Sequence, residues 1–297
     1  MAYYISPSAE STYVMRYSAE DLQVTFYSGE TAADPSSGSV TIGMQDEWGR
    51  VVVPAGTATT NTSTGVYSYL LEAQTDLKRI TATWSGTFNQ AMEFTSQHEV
   101  VGGFYANPIE VRNMDSISGE SSTFPTADLV QAINWATAVI DNYCGTSFVY
   151  RYERDVLDGT GTDTIKLSKM FPRKILAASI DGTDLTSDEL SKISLYESGV
   201  IVREEDVWER TPEGRKVIIE YEAGYDKTPP PDIAWAARTL ARYHLIEQVS
   251  RIPDRALSIS SEFGNIALSQ PSMTKPTPLP DVNVILNRHK HRAPVAY

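Results

Sequence analysis

At 297 residues, with 41% hydrophobic and 10% aromatic content, the chain is long enough for two domains that each bury a core. Its formal net charge of −13 excludes a protein that grips nucleic acid over most of its surface, since counterion release needs clustered Lys and Arg; a protein that surrounds DNA without gripping it remains open. One cysteine, Cys144, excludes an intrachain disulfide framework and a multi-cysteine metal site.

The first twelve residues, MAYYISPSAEST, lack the basic start and apolar core of a signal peptide. No later run approaches the roughly 20 apolar residues of a membrane span, so a soluble protein without an export signal is expected. From Thr12 to Ser96 the hydrophobic period is two: Leu22, Val24 and Phe26 alternate with polar residues, as do Val40, Ile42 and Met44, then Ile80, Ala82 and Trp84, and briefly Met92 and Phe94. Gly-containing turns separate these runs, and six or seven short strands at this spacing predict an all-β sandwich over residues 1–105. Residues 106–123, with SISGESST, read as a flexible polar linker.

The period then changes. Thr126 is placed to cap a helix with Leu129, Ile133, Ala136 and Ile140 on one face, and Gly145 suits the left-handed position past its end. Six short apolar runs between Tyr150 and Tyr221 predict a β-rich inset, and a second helix starts at Pro231-Asp232 with Ile233, Ala237, Leu240, Leu245 and Val249 as its stripe. Residues 124–250 are thus an α+β domain in which helices frame a β inset. Residues 251–297 form an extended, Pro-punctuated arm ending in a short amphipathic helix, DVNVILNRHKHR. Charge divides unevenly. Residues 1–120 carry 5 basic and 14 acidic groups (−9), residues 121–250 carry 14 and 21 (−7), and residues 251–297 carry 6 and 3 (+3). A basic arm on an acidic body has the form of a docking arm.

The stretch DGTGTDTIKL (158–167) looks like a phosphate cradle, but no Lys and Ser/Thr follow Gly161, and Asp163 and a strand stand where a helix N-terminus is needed. A tight hairpin is expected instead, with calcium at Asp155, Asp158 and Asp163 as the alternative; the spacing is not that of an EF-hand. IDGTDLTSDE (180–189) reads as a solvated loop with the same alternative. His289 and His291 lack an acid nearby to complete a zinc site and read as part of a cationic surface. His98 and His244 have no nucleophile motif beside them, and G-x-S-x-G is absent. Cys144 reads as a buried structural thiol, and the five tryptophans are scattered. The expectation is a protein that is not an enzyme and has no cofactor. The competing reading is a carbohydrate- or receptor-binding protein stacking its ligand on Tyr67, Tyr69 and Trp84 of the sandwich.

Five features occur in order: IDNYCGTSF (140–148), VLDGTGTDTIKL, FPRKILAASIDG (171–182), VIIEYEAGYDKTPPPD (217–232), and an alanine-rich helix after them. In that order the chain resembles the head–tail adaptor (connector) family of long-tailed bacteriophages, across somewhat under half its length. The sandwich resembles, more weakly, the immunoglobulin-like modules appended to phage structural proteins. The resemblance implies a virion protein assembled in the host cytoplasm. It implies a ring of about twelve copies that joins the portal to a stopper or tail-completion protein, with packaged double-stranded DNA passing through without sequence-specific binding. It also implies no catalytic residues, no membrane contact, and a C-terminal segment that reaches the portal. On that basis Val282, Ile285, Leu286, Arg288, His289, Lys290 and Arg292 form the candidate portal-docking arm. Removing Asp281 to Tyr297 is expected to leave both domains folded.

Overall fold

Alternating burial builds the first half of the molecule. The computed structural model describes residues 3–7, 11–88, 90–115, 117–210, 216–249, 258–261, 264–267 and 276–290, with the backbone alone at 3–7, 11, 90, 249, 258–261 and 264–267. Ten strands run from the N-terminus: β1 (Tyr3–Pro7), β2 (Ser11–Met15), β3 (Glu20–Ser28), β4 (Thr31–Ala32), β5 (Ser37–Asp46), β6 (Val51–Ala58), β7 (Thr60–Ser63), β8 (Val66–Leu71), β9 (Lys78–Phe88) and β10 (Gln90–Val101). One sheet has the order β1-β3-β8-β7, with β4 also on β3, and the other β2-β10-β9-β5-β6. The chain enters by crossing between them, since β1 pairs antiparallel with β3 and β2 pairs parallel with β10. The strands beyond the expected six or seven are either short or begin before Thr12, where alternation is not yet readable.

Leu22, Val24 and Phe26 face Val40, Ile42, Met44, Ile80, Ala82 and Trp84 across the sandwich, each at most 3% exposed. Phe26 stacks on Phe88 at 4.7 Å. Each of the larger aliphatic and Phe side chains contributes roughly 1.5–3 kcal/mol through burial.

The predicted linker is a packed segment. Within it lies α1 (Pro108–Arg112), opened by a reciprocal cap: Asn107 Oδ1 accepts from Ile109 N at 2.9 Å, and Asn107 N donates to Glu110 at 3.0 Å. Val111 and Ile117 are fully buried in the helical core, so this stretch is not the flexible joint expected from its polarity.

Helix α2 (Thr126–Cys144) has Pro125 at its cap position and no side-chain cap; Thr126 is already helical, correcting the expected capping role. Gly145, at φ 73°, ends it as expected. The inset comprises β11 (Arg151–Leu157), β12 (Thr164–Lys166), β13 (Pro172–Ile180), β14 (Thr183–Asp184), α3 (Ser187–Ser191), β15 (Ile193–Leu195), β16 (Val200–Arg203) and β17 (Val217–Ala223), followed by α4 (Pro231–Val249).

The stretch 158–163 is not a hairpin. It carries the chain from β11, in the sheet β11-β17-β13-β14, to β12, in the separate sheet β12-β16-β15. Its backbone is held instead by residue 208: Gly161 N donates to Trp208 O, and Trp208 N to Thr162 O, both at 2.8 Å. Asp155 accepts from Ser168 and Tyr221. The tight two-residue hairpin lies further on, at Asp181 (φ 53°) and Gly182 (φ 78°), joining β13 to β14. Beyond β14 the chain is no open loop, because Thr186 and Glu189 cap each other at the start of α3.

Helices α2 and α4 pack on each other through Leu129, Ile133, Ala136, Ile140, Ile233, Ala237, Leu240 and Leu245, all expected and all buried. The predicted arm is only partly extended: β18 (Ser258–Ser261) pairs antiparallel with β19 (Gly264–Ala267), and α5 (Pro280–His289) lies on the helical core with Val282 and Leu286 fully buried. Removing residues 281–297 therefore strips a wall from that core, contrary to the expectation that both domains would stay folded.

Candidate assembly surfaces

In β17, VIIEYEA, Val217, Ile219, Tyr221 and Ala223 enter the inset core while Glu220 and Glu222 take the other face. That face meets the sandwich. Arg16 Nη1 pairs with Glu222 at 2.9 Å and Arg50 Nη2 with Glu220 at 3.2 Å. Tyr152 of β11 donates its hydroxyl to Glu220 and places its ring in the sandwich core, with Tyr150 and Leu176 packed beside it. Arg151 stacks over Tyr13 at 4.0 Å and lies 3.8 Å from Glu99. Gly103 makes a close approach; a Cβ there would stand 2.2 Å from the Lys227 carbonyl oxygen. An open groove of about 510 Å³ runs along the seam over Val51, Leu77 and Leu176. Its rim charges satisfy each other as Arg50–Asp46 and Lys174–Asp76.

Two titratable groups, one buried and one half-buried, flank this seam. His98 lies inside the sandwich between the hydroxyls of Thr12 and Ser96, and Ser96 also accepts from Trp84 Nε1 at 3.1 Å. Burial lowers its pKa from 6.5 to about 4. Asp141, on α2, accepts from Tyr105 OH, which in turn accepts from Phe148 N at 2.6 Å. Burial raises Asp141 to about 6 against the pull of Arg151. The two act in opposite senses. The unfolded His98 takes up a proton that the folded protein refuses, so its contribution is complete above pH 6.5 and is lost as pH falls toward 4, by about 3 kcal/mol. Ionised Asp141 costs stability at neutral pH, and that cost is relieved as pH falls below 6. Denaturation of the native protein and of His98→Asn from pH 7.5 to 4 isolates the first: the native protein should lose stability relative to the variant as pH falls. Parallel curves would refute the burial argument.

The predicted arm residues divide by position. Val282 and Leu286 are buried, Ile285 is half-buried against the core, and His289 Nε2 bonds Asp232 at 2.7 Å with its ring edge-on to Phe148. Arg288 is two-thirds exposed, 3.8 Å from Asp232, and Lys290 lies 4.3 Å over the Tyr143 ring. Arg292 lies outside the described residues.

Sequence reasoning missed a neighbouring surface whose residues sit in two of the ordered motifs, FPRKILAASIDG and VIIEYEAGYDKTPPPD. Where β13 starts and β17 ends, Arg173 Nη2 donates to Tyr225 O at 2.7 Å. Tyr225 is 47% exposed, propped by Phe171 (5.2 Å) and Phe148 (6.4 Å), and exposed Lys227 comes two residues on. The signal was available as F-P-R and A-G-Y-D-K, but their meeting depends on strand register. At the opposite end of the sheets, Asp188, Glu189, Glu204, Glu205 and Asp206 surround Lys192 and Arg203. The aromatic platform of the competing reading does not form: Trp84 and Tyr67 are buried at 1% and 5%, and Tyr69 is packed against the same core. Among the described residues no group of three or more His, Cys, Asp or Glu is placed to hold a metal ion.

A family model described as head completion protein matches residues 108–252, the span of α1 to α4. No curated protein matches the chain. Among solved structures, it is similar to a chain in the neck of an empty gene transfer agent particle at 18% identity, covering 53% of this chain and 83% of that one, TM-score 0.40. It is likewise similar to a chain in the virion of a native gene transfer agent particle, at 18% identity, 62% and 88% coverage and TM-score 0.43. A three-domain titin fragment, I67–I69, aligns at 10% identity, 75% and 61% coverage and TM-score 0.23.

Proposed function

We propose that this phage head–tail connector protein, a virion component whose residues 108–252 match the head completion family, works by shape and not by catalysis. Copies close a ring, of twelve on the family resemblance, between the portal and a stopper or tail-completion protein. The observation that carries this reading is the coincidence of the family match with one structural unit, the α2–α4 pair framing a two-sheet inset. An acidic body suits a channel, because a net charge of −13 discourages adhesion of the passing duplex.

The sandwich, with its first strand divided between two sheets, supports an immunoglobulin-like reading. The ionic seam fixes it at a set angle to the inset, which suits a brace on the outer rim. Helix α5 has its apolar face in the body, so what it offers a portal is its outer strip, Val284 and Arg288.

Imaging of assembled particles by cryo-electron microscopy tests the reading. Density for this chain is expected as a collar at the head–tail junction. Density elsewhere, or heads that join tails normally without the protein, would overturn it.

A further inference from the structure

We propose that the aromatic–basic end of the sheet, Tyr225 between Arg173 and Lys227, docks on the acidic α3–β16 end of a second copy of this chain. The inference rests on the proposed ring and gives that ring its two contacting faces.

The argument starts from strand length. β13 runs nine residues from Pro172 to Ile180, and β17 returns beside it from Val217 to Ala223. At 3.3–3.4 Å per residue the two ends of β13 stand about 26 Å apart. Arg173 and Tyr225 mark one end; β14, α3 and the 204–206 acids lie toward the other. Leu185 N bonds Ala178 O at 2.8 Å and Glu204 N bonds Lys192 O at 3.1 Å, which ties the acids to that far end. Opposite charges held at opposite ends of the two packed inset sheets cannot meet within a chain. They can meet between chains.

Each face is built for contact. On the basic side Tyr225 is an exposed ring held by two aromatic neighbours and a hydrogen-bonded carbonyl, so little ordering is needed on binding. Phe171 beneath it adopts φ 58°, costly for a bulky residue. Its N–H donates to Glu197 O at 2.9 Å and its carbonyl accepts from Gly224 N at 3.1 Å, which holds that geometry in place. Arg288 and Lys290 add positive charge alongside, against Asp226 and Asp232.

On the acidic side the nearby cations are already engaged. Lys192 pairs with Glu205 (2.6 Å) and Asp188 (3.3 Å), and Arg203, 7% exposed, pairs with Asp206 at 2.7 Å. Val207, 42% exposed, supplies an apolar contact beside them. Because most of the body is acidic, two copies repel unless the basic end finds its counterpart, which selects one register. A contact between two different faces is heterologous, and repeated with a rotation that closes it makes a ring.

Charge exchange tests this. One full-length variant carries Arg173→Glu and Lys227→Glu, the other Glu204→Lys and Glu205→Lys, with thermal melts confirming that each folds as the native chain does. Self-association is read by native mass spectrometry and mass photometry at moderate salt. Each variant alone should associate at least about tenfold more weakly than the native chain, and an equimolar mixture should recover assembly because every junction then regains one acidic and one basic face. If the native chain assembles and both variants do so equally well, or if mixing restores nothing, these faces are the wrong ones while the ring stands. A native chain that stays monomeric at every concentration, with or without particle components, would remove the ring itself.

Discussion

Replacing Tyr152 with Ala should cost about 3–5 kcal/mol and split one cooperative unfolding transition into two. Tyr152 belongs to β11, yet its ring is 1% exposed among sandwich residues, so two parts of the chain share one core. Its hydroxyl donates to Glu220, which Arg50 also holds at 3.2 Å. Truncation opens a ring-sized cavity at the junction and removes a donor from a buried carboxylate, and both effects fall on the seam. Tyr152→Phe separates them: it removes the hydrogen bond alone, costs about 1–3 kcal/mol, and should keep the single transition. Calorimetry of both variants decides. An alanine variant that melts as one unit at the native temperature would show that the sandwich and inset do not depend on this contact.

The seam also marks where sequence reading stops. Strands β3, β5 and β9 were legible because each carries its own evidence: every second residue is apolar, and the face they share is the core. Helices α2 and α4 were legible for the same local reason, with Gly145 and Pro231 as punctuation. Glu220 and Glu222 also stood in plain alternation, but period two says only that they leave the inset core. Whether they meet water or a partner depends on Arg50 and Arg16, 170 and 206 residues away. The 158–163 loop failed for a related reason, since Asp-Gly signals a turn without saying that the next strand joins a different sheet. Capping was misjudged in both directions. Thr126 looked like a cap and is not, while Thr186 and Glu189 form a capping box inside a stretch read as loop. The surface at Tyr225 was half legible: both motifs were visible, and only the β13–β17 register brings them together.

Leu286→Ala should destabilise the helical core by about 2–5 kcal/mol, although an amphipathic segment near a chain end suggests a dispensable arm. Leu286 and Val282 are fully buried against α2 and α4, and the start of α5 is fixed by a closed polar pair. Asn283 Nδ2 donates to Thr277 O at 2.7 Å, and Thr277 N donates back to Asn283 Oδ1 at 3.1 Å. At its other end His289 bonds Asp232 in the first turn of α4, where a carboxylate is favoured by the helix dipole. The helix is held at both ends and through its middle, so α5 works as a clasp on the body. Val284, 60% exposed on the opposite face, is the control, and Val284→Ala should shift stability by no more than about 0.5 kcal/mol. Urea titration of the two variants distinguishes clasp from free arm: a clasp makes Leu286→Ala far the worse. Equal midpoints for the two would mean that α5 leaves the body in solution, and the segment would then be free to reach a portal with its apolar face.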